Sequence, residues 1–124
     1  MQDSWEKGFP HLDEGAIRKF AECIGDDNPL HHDDEAARQA GLLGIVAPGI
    51  MLTGFVSSAI ASEIPRAMVR QLQMKFIQPL YAGSSPTVSC SVEKHRGRIA
   101  QVAVMVRNGY EILAEGMCTL LLPV

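Results

Sequence analysis

The sequence predicts an α+β domain, with helices in its first half and an antiparallel sheet in its second. Two observations carry this reading. Apolar residues between Asp13 and Ile64 recur at helical spacing or cover whole segments, and from Met68 onward the period changes to two. Asn108-Gly109 then separates two alternating runs, the strongest short-range signal for a hairpin. Helices followed by a three-strand meander make an α+β arrangement with one sheet face buried.

Ser4 to Phe9 alternates, with Trp5 and Phe9 able to face inward, and reads as a first strand. Asp13 opens a helix in which Ala16, Ile17, Phe20 and Ile24 share a face, and Gly25 suits its end. That helix delivers the chain to Asp26. After His31, Asp33 or Asp34 caps a short helix that continues through Arg38 and ends near Gly41, and Leu42 to Ala47 forms a loop.

Next comes a run from Pro48, placed at the first helical position, to Glu63, just ahead of Pro65. Apolar residues cover nearly every face of it, which predicts a buried helix; it is too short and too interrupted to span a membrane.

In the sheet half, Leu72, Met74 and Phe76 alternate with Gln71, Gln73 and Lys75, and Pro79 ends that strand. Val88, Cys90 and Val92 mark the next strand, and a turn at Arg96-Gly97 returns the chain through Ala100, Val102, Val104 and Val106. The last strand sets Ile112, Ala114, Gly116, Cys118 and Leu120 against Glu111, Glu115 and Thr119.

The candidate chemistry lies between Gly25 and Ile64. Gly25-Asp26-Asp27-Asn28-Pro29-Leu30-His31 joins two helical patterns through turn formers, and Pro29 fixes a backbone angle between an acid and an imidazole. An isolated His titrates near ~6.5 and an Asp near ~3.9, so a neighbouring pair at neutral pH offers a proton acceptor and a group that orients or returns the proton. The alternative is that Asp26 and Asn28 merely cap helices while His31 sits at the surface. Gly49 leaves its N–H uncovered at a helix start, where free amides favour a developing negative oxygen. Gly54, Ser57, Ser58 and Ala61 form a small-residue strip that admits either a neighbouring element or a substrate.

Other clusters read as structural. His31-His32-Asp33-Asp34 lacks the spacing of a metal site, because consecutive side chains diverge, so no metal is expected. His32 is expected in solvent, Asp33 as a cap, His11 and His95 at the surface, and Cys23 in the core. Ser57 and Ser58 lack a nucleophile elbow.

The pattern Gly-Asp-x-Asn-Pro-Leu-His, a helix containing Ala36, and then Pro48-Gly49-Ile50-Met51 resembles the MaoC-like hydratases, the family of (R)-specific enoyl-thioester hydratases. The resemblance implies a hot-dog fold: an antiparallel sheet wrapped round one long central helix, usually assembled as a dimer. It implies that Asp26 and His31 hold the reacting water and that the Gly49 N–H faces the thioester oxygen. Asn28 and Ser57 would then support the pair, and Met51 and Gly54 would line the substrate pocket. One departure stands out: the family usually carries a histidine where this chain has Pro48.

The implied activity is reversible addition of water across the double bond of an enoyl thioester, with no cofactor. The acyl carrier, coenzyme A or an acyl carrier protein, would meet basic residues, for which Arg66, Arg70, Arg96 and Arg98 are candidates. Two other readings remain, a hot-dog acyl thioesterase and a non-catalytic acyl-binding subunit.

Composition sets bounds. With 124 residues, 47% hydrophobic and 20% charged, the chain (1–124) is expected to be one globular domain, and oligomerisation would help it enclose a pocket. A net charge of −3 argues against nucleic acid as a partner. Three widely spaced cysteines fit reduced thiols, and the opening MQDSWEKGF has no apolar signal region, so a cytoplasmic protein is the expectation, while the homodimer is what the resemblance implies.

Overall fold

The computed structural model describes all 124 residues. Strand β1 (Ser4–Gly8) precedes helices α1 (Glu14–Cys23), α2 (Asp34–Gln39) and α3 (Gly49–Glu63), with a single 3-10 turn at Pro29–His31 ahead of α2. Strands β2 (Met68–Phe76), β3 (Thr87–Arg96), β4 (Ile99–Asn108) and β5 (Glu111–Leu121) follow. All five strands form one antiparallel sheet in the order β1-β3-β4-β5-β2. The meander β3-β4-β5 follows the sequence pattern, and the Asn108-Gly109 turn joins its last two strands with Gly109 at φ 61.

Helix α3 lies against one face of this sheet, touching β1, β2, β3 and β4. Its Leu52, Val56, Ala59 and Ile60 bury against Val88, Val102, Val106 and Leu120. Each Val, Leu or Ile among these contributes about 1.5–3 kcal/mol by leaving water, so this contact holds the domain together. Trp5 fixes β1 to the helix by donating its Nε1–H to the Ala59 carbonyl at 3.0 Å. Phe9 stacks on Phe55 at 4.7 Å between ring centroids. Where β2 crosses Gly116, a Cβ would collide with the Gln73 carbonyl, so only glycine lets those strands pair.

Several expectations need correction. Pro48 is the cap of α3 and Gly49 its first residue, one position later than predicted. Burial of α3 is one-sided: Ile50, Gly54, Ser57 and Ala61 stay exposed in the single chain. The open side is the small-residue strip, with Gly54, Ser57 and Ala61 in line behind Ile50. Cys23 is exposed in the last turn of α1, because Ile17 and Ala21 supply the buried face of that helix. No helix is long and apolar enough to cross a membrane.

Candidate active site

The site begins where α1 stops. Asp13 caps its start, accepting from the Ala16 N–H at 2.7 Å. At its end, Gly25 takes φ 73, which a residue without Cβ adopts freely. The Gly25 N–H then reaches the Glu22 carbonyl at 3.1 Å, and the Asp26 N–H reaches Ala21 at 2.8 Å. This paired closure satisfies the helix carbonyls and sets the direction in which Asp26 leaves.

Asn28 performs two tasks. Its Oδ1 caps the 3-10 turn by accepting from the Leu30 N–H at 3.1 Å, and its own N–H donates to Asp26 Oδ1 at 3.1 Å. With Pro29 opening the turn, His31 falls at its last position and its ring turns inward, leaving the residue 7% exposed.

His31 Nε2 lies 3.3 Å from Asp26 Oδ2, so the carboxylate and the imidazole predicted to converge do meet. On the other side of the ring, Nδ1 lies 2.8 Å from the Val46 carbonyl. A carbonyl oxygen only accepts, so Nδ1 carries the hydrogen, and in the neutral ring Nε2 presents its lone pair to Asp26. Val46 is held in turn, its N–H donating to Leu30 at 3.1 Å. Asp34 secures the same segment by accepting from the Ile45 N–H at 3.1 Å.

Three residues beyond Val46, α3 begins. The N–H groups of Gly49 and Ile50 have no acceptor within the chain, and Pro48 supplies no side-chain cap. The Phe76 ring lies beside Gly49, 3.3 Å from where a Cβ would stand. A groove of about 350 Å³ runs along the open side of α3, lined by Ile50, Thr53, Gly54, Ser57, Val69 and Leu72 among others. Gly54 and Ser57 therefore share a concavity, but Ser57 bonds to neither Asp26 nor His31. Met51, expected in the pocket, faces the core at 9% exposure.

His32 departs from its expected place in solvent. It is half-buried and donates Nε2–H to the Asp26 carbonyl at 2.9 Å. That contact spans six residues to a backbone atom, so no side-chain pattern in the sequence announces it. Asp33 caps α2 as predicted, accepting from the Glu35 N–H at 2.9 Å.

Elsewhere the chemistry is quiet. Burial pushes the Cys90 thiol up to about 12, helped by Cys118, and burial pushes Cys118 up to about 11, so neither offers a thiolate nucleophile. No three His, Cys, Asp or Glu side chains gather as a metal site. A larger concavity of about 880 Å³ lies over the sheet, bordered by Ser89, Ala103, Met105 and Met117, and includes neither Asp26 nor His31.

A family model described as a MaoC like domain matches residues 7–112. The chain belongs to the MaoC-like family. Among curated relatives, a UPF0336 protein of Parafrankia sp. is 31% identical over 119 residues, covering 84% of this chain and 78% of that one. The mitochondrial 3-hydroxyacyl-[acyl-carrier-protein] dehydratase of Arabidopsis thaliana is 33% identical over 67 residues, which span 54% of this chain and 40% of that protein. Among solved structures, the (R)-hydratase from A. caviae involved in PHA biosynthesis is similar with a TM-score of 0.89 at 19% identity, covering 99% of this chain and 98% of that one. The ChsH1-ChsH2 complex from Mycobacterium tuberculosis gives 0.89 at 22% identity over 96% and 94%. At such identities these structures establish the fold, and this MaoC-like chain is a hot-dog domain whose family and neighbours include hydratases and dehydratases.

Proposed function

We propose that this chain is an enoyl-thioester hydratase, working in either direction between a trans-2-enoyl thioester and its (R)-3-hydroxyacyl product. The observation that carries the reading is the Asp26–His31 pair, with its tautomer fixed from behind by Val46. With Nδ1 committed to Val46, His31 Nε2 and Asp26 Oδ2 lie 3.3 Å apart, and a water held against both can give a hydrogen to whichever of them is unprotonated. As the water oxygen bonds to C3, the pair takes one proton from it and returns one to C2. The electron pair displaced from the double bond reaches the thioester oxygen, and the free Gly49 N–H is the donor for it. Neither a redox group nor a metal is needed for this proton balance.

Asn28 supports the pair through its backbone N–H on Asp26 Oδ1, and Gly54 and Ser57 belong to the acyl groove. A second copy of the chain completes that groove. The outer edge of β2 is unpaired, and Met68, Val69 and Phe76 on it are 62%, 44% and 51% exposed, an edge that invites strand addition. The thioester carrier, coenzyme A or a carrier protein, meets Arg66, Arg70, Arg96 and Arg98, which are exposed and have no acidic partner.

The test is turnover of crotonyl-coenzyme A and of crotonyl-carrier protein by the wild-type chain. Formation of 3-hydroxybutyryl thioester supports the proposal, whereas release of free thiol identifies a thioesterase. Pro48, which leaves the start of α3 without a side-chain cap, favours a second reading as an acyl-binding subunit; saturable binding without conversion would establish it.

A further inference from the structure

We infer that His32 is a positioning residue that holds Asp26 in register with His31; this rests on the hydratase reading given above. The Asp26 backbone is tied at both ends. Its N–H is bound to Ala21 at 2.8 Å by the closure of α1, and its carbonyl accepts from His32 Nε2 at 2.9 Å. With both peptide planes fixed, only the side-chain torsions of Asp26 remain, and Oδ1 is occupied by the Asn28 N–H at 3.1 Å. Oδ2 is thereby left to face His31.

His32 is itself anchored. Its N–H donates to Pro29 at 3.0 Å, and its carbonyl accepts from Arg18 Nε at 3.2 Å. Arg18 is braced within α1 by Glu14 at 3.2 Å. The imidazole therefore links the first helix to the loop that follows it, closing a ring from α1 through Asp26, His32 and Arg18 back to α1. Nε2 carries a hydrogen in both the imidazolium and the matching neutral tautomer, so the link survives a change in the charge of His32. Of the residues in this ring only Ala21 is buried in the core, and it takes part through its backbone carbonyl, while Asp26 and His32 are only half-buried. What the ring controls is the placement of one carboxylate, where a displacement of about 1 Å costs up to ~100-fold in rate.

The experiment compares His32→Gln with His32→Asn. A glutamine amide reaches the place of Nε2, whereas an asparagine amide stops near the place of Nδ1 and cannot span to Asp26. Steady-state kinetics on crotonyl-coenzyme A are read together with the ¹⁵N resonance of His31 Nε2 at one fixed pH, with Asp26→Asn as reference. His32→Asn is expected to lower kcat by about 10- to 100-fold while KM stays within about twofold, and to move the His31 resonance toward that of Asp26→Asn. His32→Gln is expected to keep both readouts near wild type. Equal kcat in the two variants, or an unmoved resonance in His32→Asn, overturns the inference. A wild-type chain without hydration activity defeats the hydratase reading alone, and the resonance comparison then decides the positioning of Asp26 by itself.

Discussion

His31 Nδ1 sits 2.8 Å from the carbonyl of Val46, so the imidazole is clamped to the segment that runs, three residues later, into Gly49. One short stretch of backbone therefore orients the ring and delivers the free amides of α3. Three residues of chain span at most about 10 Å, which keeps the proton-handling pair and the proposed oxyanion donor within the reach of one thioester.

Replacing His31 by Gln tests this clamp. The amide can neither exchange a proton as imidazole does nor keep both ring contacts, and hydration is expected to fall by roughly two to four orders of magnitude. Circular dichroism should show the helix and sheet content unchanged, because the ring lies at the rim of the core.

Gly116→Ala should destabilise the fold by about 1–3 kcal/mol, because the added Cβ collides with the Gln73 backbone and β2 must shift to relieve it. Urea denaturation read by Trp5 fluorescence measures the loss. Gly54→Ala, where a Cβ meets open space in the single chain, is the control and should change stability by less than about 0.5 kcal/mol.

The fold was legible where local pattern decides it. The change of period at Met68 and the Asn108-Gly109 turn located the sheet, and the Gly25 stop located Asp26. Pairing of β2 with β5 was not legible, since a non-local register leaves no mark within either strand. The small-residue strip Gly54, Ser57 and Ala61 marked the open side of α3 even though the whole helix was expected to be buried, whereas the role of His32 was hidden by its backbone acceptor. The spacing of Asp26 and His31 alone left open a pair of caps and a surface histidine, and it was the resemblance to the MaoC-like hydratases that pointed to their meeting.

Cysteine reactivity should separate cleanly. Cys23 is exposed and should alkylate in the native protein, while Cys90 and Cys118 should react only after unfolding. Burial raises both buried thiols from 9.0, Cys90 to about 12 and Cys118 to about 11, so folding favours their neutral form. Their contribution to stability is intact below 9.0 and is lost as pH rises through about 11 and 12. Thermal melts from pH 8 upward, compared with a Cys90→Ala variant, check the sign.

Val69→Asp places a charge on the unpaired edge of β2, beside the groove along α3. Sedimentation of the wild-type chain should give a dimer, and this variant should shift it toward monomer with a raised KM. A wild-type monomer that is fully active would refute the completion of the groove by a second copy.

The central claim is that Asp26 and His31 act together on one water. Its most direct test is hydration of crotonyl-coenzyme A by Asp26→Asn, which preserves shape and removes the charge. The account predicts a fall in kcat of roughly two to four orders of magnitude in a folded protein; a fall of less than about threefold would contradict it.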